Sequence, residues 1–289
     1  MKALFDKVSL ATSKMVTRSY STSFSLGINC LHNKFHNAIY SIYGFVRFAD
    51  EIVDSFHEYN KEELLGEFKQ ETYKAIERKI SLNPILNSFQ AVVHDYNIEM
   101  PLIDTFLRSM EMDLEQQSHS ADSYKEYILG SAEVVGLMCL RVFTERNENL
   151  YQQLKPASMS LGSAFQKVNF LRDLQADYKV LGRVYFPTIN LDQFSEAEKE
   201  QIQHDIQKDF DDALKGIQQL PLSSRFGVYV AYVYYRALFS KIKSLPSSRI
   251  MQERIRIPNY QKLSLLASSY LKHSIGVLWT KLTSKKSKP

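Results

Sequence analysis

Apolar positions recur at three- and four-residue spacing along nearly the whole chain, the pattern of helices that bury one face. Residues 35–55 show it best, where Ala38, Ile42, Phe45, Val46, Ala49 and Val53 form one stripe. The same spacing predicts helices over 61–80, 85–96, 101–117, 122–145, 149–178, 196–215, 222–244 and 260–282. Pro101 suits a first helical turn, Ser195 suits a cap, and Pro156 predicts a break in the 149–178 helix. Gly182 and Pro187 bracket an extended turn. The tyrosine-rich run 228–235 resembles a strand in composition, but its length and its place between helical patterns predict helix. No short alternating runs are joined by hairpin turns. The expected fold class is therefore all-α, a single domain over 1–289 with about 1–18 and 283–289 peripheral or frayed.

Two of these helices carry paired acids. Asp50 and Asp54 stand four apart, and so do Asp173 and Asp177. Residues i and i+4 share a helix face, so each pair sets like charges side by side. Tyr43 and Arg47 continue the first face upstream, and Gln166 and Asn169 continue the second. The flanking positions are apolar: Ile42, Phe45, Ala49 and Val53 on one helix, and Phe165, Val168, Leu171 and Leu174 on the other. A buried, unpaired carboxylate costs several kcal/mol or takes up a proton. Divalent cations remove that conflict, because carboxylates are hard oxygen ligands for magnesium and a phosphate completes its shell. One such pair alone is ordinary on a solvated helix. Two, each beside arginine and each continued by polar residues, point to a site. Arg47, Arg172, Lys179 and Arg183 supply cations, and a guanidinium fits phosphate oxygens with a planar fork. The chemistry that follows is departure of diphosphate from an allylic carbon inside a chamber that excludes water.

Composition narrows this further. Ten glycines disfavour a nucleotide fold built on glycine-rich turns, and a net charge of +4 does not imply nucleic acid. Seventeen tyrosines and seventeen phenylalanines fit either a large aromatic core or an aromatic-lined cavity for a long apolar ligand. Cys30 and Cys139 form no metal or disulfide framework, which suits a reducing cytoplasmic setting. The N-terminal residues lack a secretion-signal pattern, and no apolar run reaches the length of a membrane span. His94, His119 and His204 have no partners at ligand spacing and read as surface or half-buried residues.

The segments SYSTSFSLG (19–27), AIYSIYGFVRFADEIVD (38–54), YILGSAEVVGLMCLRVF (127–143) and LGSAFQKVNFLRDLQADYKVLGRVYFP (161–187) resemble the phytoene/squalene synthase family of head-to-head prenyl transferases. ERIRIPNYQKL (253–263) adds weaker support, and the likeness is greatest to the bacterial phytoene synthases. The resemblance implies a class I isoprenoid synthase fold, a helical bundle around a central cavity. It implies condensation of two geranylgeranyl diphosphates to phytoene through a cyclopropylcarbinyl diphosphate. About three Mg²⁺ ions would be held by Asp50, Asp54, Asn169, Asp173 and Asp177. By the same resemblance Ser21, Ser23, Arg47, Arg172 and Arg254 lie near diphosphate. Tyr43, Gln166, Asn169 and Tyr235 line the reaction centre, and Asp113 matches a retained family acid.

The chain departs from the family pattern at Leu129, where a tyrosine is usual, at Ala132-Glu133, and at Ala176, where an acid is common. Leu129 leaves the exact product open. One alternative is a squalene, dehydrosqualene or presqualene-type synthase using farnesyl diphosphate, with NADPH for squalene. Another is a non-catalytic helical protein that binds prenyl lipid or assists assembly. The C-terminal helix, with Leu271, Ile275, Leu278 and Trp279, precedes a lysine-rich tail. It reads either as core packing with a solvated tail or as a peripheral contact with the inner face of a membrane.

Overall fold

The computed structural model describes residues 1–115, 118–179, 182–187, 194–258, 260–262 and 264–270. In chain order its α-helices are α1 (Lys2–Tyr20), α2 (Thr22–Asn29), α3 (Asn33–Ser55), α4 (Lys61–Arg78), α5 (Pro84–Tyr96) and α6 (Met100–Glu115). These are followed by α7 (Ala121–Ile128), α8 (Val134–Thr144), α9 (Glu148–Lys179), α10 (Glu196–Ile217), α11 (Leu222–Lys243) and the short α12 (Ser247–Ile250). Among the described residues no strand forms beyond an isolated bridge between Ser118 and Val184. Residues 260–262 and 264–270 are helical, while the rest of the expected terminal helix and the lysine tail lie outside the described residues.

Local chemistry explains the helix ends. Asn83 accepts from the N–H groups of Ile85 and Leu86, and Pro84 occupies the first turn, where its missing N–H is not needed. Asn97 ends α5 in the left-handed region at φ 53°. Ser195 and Glu198 close a reciprocal capping box at the start of α10.

Packing forms two apolar clusters. The first gathers α3, α5, α6 and α8 around Phe45, which is fully buried among Phe68, Phe89 and Phe106. Burying one such ring contributes roughly 2–3 kcal/mol. The second lies between α9, α10 and α11 around Phe210 and Phe239. Helix α9 serves both, with Tyr151 and Leu154 in the first cluster and Val168, Leu171 and Leu174 in the second.

Three expectations need correction. The predicted break at Pro156 does not occur, and α9 runs 32 residues through it. Pro156 and Gln152 are both exposed, so the carbonyl deprived of its partner can be answered by water. The single helix expected over 122–145 is interrupted by a π-helical turn at Leu129–Glu133, where the Val134 N–H bonds the Leu129 carbonyl. There α9 approaches so closely that a Cβ on Gly162 would lie 2.7 Å from the Ala132 oxygen. The whole segment 121–144 is long and apolar enough to cross a membrane, but 61% of its most apolar window is buried in the bundle. Burial between helices accounts for its composition.

The third correction concerns the N-terminus, where apolar spacing predicts no helix. Helix α1 buries hydroxyls: Ser9, Ser13 and Thr17 are fully enclosed against α3 and α5. Ser13 and Ser88 share a hydrogen bond of 2.7 Å, and the Asn87 amide donates to Ser9 Oγ and Asp6 Oδ1, each at 3.1 Å. A Cβ on Gly44 of α3 would meet Ser13 Oγ at 3.0 Å, so the two helices touch nearly backbone to backbone.

Candidate functional site

The helices enclose a cavity of about 760 Å³ lined by residues of α2, α3, α6, α8, α9, α10 and α11. Its body is apolar, with Ile39, Ile42, Val135, Leu140, Phe143 and Leu161 among the lining residues. Asp50, Asp54, Asp113, Asp173 and Asp177 line the same cavity together with Arg47, Arg172, Arg183 and Arg254. The acids of α3 and α9 feel one another: the charge of Asp54 raises the pKa of Asp177 as well as that of Asp50. The two faces therefore oppose each other across one space.

Each carboxylate has its own surroundings. Arg47 reaches Asp50 and Glu51 on its own helix, and its guanidinium lies 4.3 Å from the Tyr20 ring centre. The buried Nε of Arg47 has no hydrogen-bond partner. Asp54 receives Arg183 Nη1 at 2.7 Å. Asp173 is clasped by Arg172, with Nη2 at 2.5 Å, and by Arg254, with Nε at 2.7 Å. Asp177 makes no side-chain hydrogen bond or ion pair among the described residues. Burial, followed by the Asp54 charge, pushes Asp50 up to about 7. Burial, followed by Asp173 and Asp54, pushes Asp177 to about 7 as well. Burial lowers and the Asp173 contacts raise the pKa of Arg172, with a net upward shift, so it stays charged.

Asp113 stands deeper, on α6. Tyr127 OH donates to its Oδ2 at 2.8 Å and Tyr185 OH to its Oδ1 at 3.3 Å. Arg183 lies 3.7 Å away and also donates to the Asp113 backbone oxygen at 3.2 Å. Burial still wins, and the carboxyl is pushed to about 7. Arg183 gets there because Gly182 turns at φ 67° and the Arg183 N–H bonds the Asp177 carbonyl at 2.8 Å. His119 is stacked on Tyr185 and buried, which corrects its reading as a surface or half-buried side chain.

The polar residues upstream of the acids meet in the same cavity. Tyr235 OH donates to Asn169 Oδ1 at 3.2 Å and its ring stacks on Phe165 at 3.9 Å. Asn169 donates to Gln166 Oε1 at 3.4 Å. Tyr43 stacks on Phe24 at 4.6 Å, and burial raises its pKa. Ser21 caps α2, accepting from the Phe24 N–H at 3.1 Å, and Ser23 lines the cavity. Lys179 is exposed and is not among the lining residues. Sequence reasoning assigned no role to Tyr127, Tyr185 or Glu51. Glu51 could have been found from its i+4 spacing to Arg47, whereas the tyrosines reach Asp113 only through tertiary packing.

The donor set is five carboxylates and an amide oxygen, all hard ligands. Among the described residues, however, no three His, Cys, Asp or Glu side chains converge as a ready metal cage. The guanidiniums stand against the carboxylates instead.

The family model described as squalene/phytoene synthase matches residues 17–261. Phytoene synthase 1, chloroplastic, of Solanum lycopersicum is 25% identical over 89% of this chain and 66% of its own length. The 15-cis-phytoene synthase of Synechococcus elongatus is 25% identical over 91% of this chain and 92% of its own. A crystal structure of a dehydrosqualene synthase in complex with ligand superposes with a TM-score of 0.78 at 20% identity, covering 93% of this chain and 98% of that one. That likeness shows the fold, the all-helical class I isoprenoid synthase architecture.

Proposed function

Because the chain belongs to the squalene/phytoene synthase family, the head-to-head prenyl transferases, we propose that it condenses two geranylgeranyl diphosphates to phytoene. The observation that carries the reading is the meeting of both acid rows in one cavity whose body is lined largely by apolar side chains. Such a chamber suits a ligand with a polyanionic head and a long hydrocarbon tail. Along α9 the lining runs from Leu154 to Asp177, about 35 Å at the helical rise per residue. An extended C20 prenyl chain, at a main-chain-like advance per bond, needs roughly 20 Å.

Asp50, Asp54, Asp173 and Asp177, with the Asn169 amide oxygen, would hold magnesium, which when bound neutralises charge growing on a departing diphosphate. The donor chemistry fits that role. Asp50 and Asp177 are costly as bare anions, and every arginine at the mouth now spends its charge on a carboxylate. With those carboxylates otherwise engaged, Arg47, Arg172, Arg183 and Arg254 are free to grip phosphate oxygens. Ser21 and Ser23 add hydroxyls at the same rim. The apolar walls keep water from an allylic cation, and the faces of Tyr43 and Tyr235 offer it electron density. Through its contacts to Arg183, Tyr127 and Tyr185, Asp113 positions the arginine beside Asp54.

The test is incubation of the pure protein with geranylgeranyl diphosphate and magnesium, followed by analysis of the extracted lipid. The expected product is a C40 hydrocarbon, lost when the metal is chelated. A parallel incubation with farnesyl diphosphate, with and without NADPH, distinguishes the C30 synthases. Absence of any condensed product from a folded protein rules out the catalytic reading.

A further inference from the structure

Helix α1 is turned inside out relative to an ordinary surface helix. Its inward face is Ser9, Ser13 and Thr17, and its outward face is apolar. Leu4, Val8 and Met15 are 64%, 50% and 63% exposed, and Ala11 between them is exposed as well. At 100° per residue, positions 4, 8, 11 and 15 form one stripe opposite the buried hydroxyls. Lys7, Lys14 and Arg18, all exposed, run along one edge of that stripe. None of the three has an acidic partner among the described residues. The sole acid on α1, Asp6, is engaged by Lys2 at 2.8 Å and by Asn87. The helix lies almost wholly ahead of the family match, which begins at residue 17.

We propose that the outer face of α1 docks on an anionic lipid bilayer. An apolar stripe edged by cations is what an interfacial helix needs: side chains to enter the acyl boundary and charges to meet phosphate headgroups. A second copy of the chain fits less well, because pairing α1 with α1 would gather six cations, Lys7, Lys14 and Arg18 from each copy, while the one acid on each helix, Asp6, is already engaged by Lys2 and Asn87. Position adds to the argument. α1 ends at Tyr20, and Tyr20 and Ser21 line the cavity beside Arg47. Docking would hold the cavity rim at the lipid surface, where a molecule with a long hydrocarbon tail enters and leaves without crossing water.

The proposal is independent of turnover and is tested by binding. Full-length protein is sedimented with vesicles of phosphatidylcholine alone or mixed with phosphatidylglycerol. Binding is expected only to the mixed vesicles. Each surface cation contributes roughly fivefold to such partitioning, so Lys7→Gln/Lys14→Gln/Arg18→Gln should weaken it about a hundredfold. Leu4→Ser/Val8→Ser/Met15→Ser should weaken it roughly tenfold or more. All six positions are exposed, so thermal melting should not change. On the unsubstituted chain, mixed vesicles should raise hydrogen-exchange protection of residues 2–20. Unchanged protection there, or wild-type binding by both triple variants, overturns the proposal. So does loss of binding only when Lys281, Lys285, Lys286 and Lys288 are replaced by Gln. A dimer without vesicle affinity, split by the apolar triple variant, assigns the face to a second copy and also overturns it.

Discussion

The acid faces of α3 and α9 look alike in spacing but differ in how their charge is answered. On α3 Asp50 has Arg47 of its own helix, and Asp54 has Arg183, 129 positions away in the chain. On α9 Asp173 is held twice, by its neighbour Arg172 and by Arg254, while Asp177 has no cation partner among the described residues. Both acids of the α3 pair have a cation in ion-pair reach, whereas the α9 pair ends on an acid, Asp177, that has none among the described residues. A like-charged pair survives in a fold when tertiary cations reach it or when it is kept for a ligand. α3 shows the first situation, and on the function proposed above the lower end of α9 shows the second. A site that stores uncompensated charge gives up stability for function.

The largest test of this contrast is catalytic. Asp50→Asn and Asp173→Asn should each lower kcat by about a hundredfold or more, since each removes an oxygen donor from the place where charge develops. Product formation under saturating substrate checks it, and near-normal turnover by either variant would mean that one face is dispensable. Next is Arg183→Ala, which strands Asp113 and Asp54 together. The expected loss is about 3 kcal/mol in urea unfolding, because a buried carboxylate without its cation is strongly unfavourable.

The pH dependence of the metal-free protein comes third. Asp50, Asp113 and Asp177 sit near 7 in the fold, against an ordinary value of 3.8. The folded state therefore binds more protons than the unfolded one between about pH 4 and 7, and stability should fall as pH rises through that window. Magnesium should raise Tm more at pH 8 than at pH 5, where protons already occupy the carboxylates. Equal shifts at both pH values would separate metal binding from these acids. Smaller still, Asp177→Asn should leave the metal-free protein at pH 8 as stable as the parent or more so, while Asp54→Asn, which breaks the Arg183 pair, should not. The smallest effect expected is that of Tyr127→Phe, about 1 kcal/mol, from loss of the hydroxyl that donates to Asp113.

Much of this was readable in the chain because α3, α5, α6 and α11 bury apolar stripes at helical spacing. Helix α1 was not, because its buried side chains are serine and threonine, and the rule that finds helices by greasy faces fails when the enclosed face is made of hydroxyls. The π turn at Leu129–Glu133 was hidden for a different reason. One extra residue in a turn leaves the apolar count of 121–144 unchanged. Pro156 misled because a proline breaks a helix only where its lost hydrogen bond cannot be made good, and here the position faces water.

Local spacing alone was enough to put Asp50 with Asp54 and Asp173 with Asp177, because the helical period acts over a few residues and needs no partner. It could not show that the two rows face one another, that Arg183 returns under Asp54, or that Asp113 is held by two tyrosines. Those depend on how closely helices approach, as at Gly44 and Gly162, and on the Gly182 turn that folds the chain back on itself. Such approaches are decided by side chains distant in sequence packing together, and no single helix carries that information.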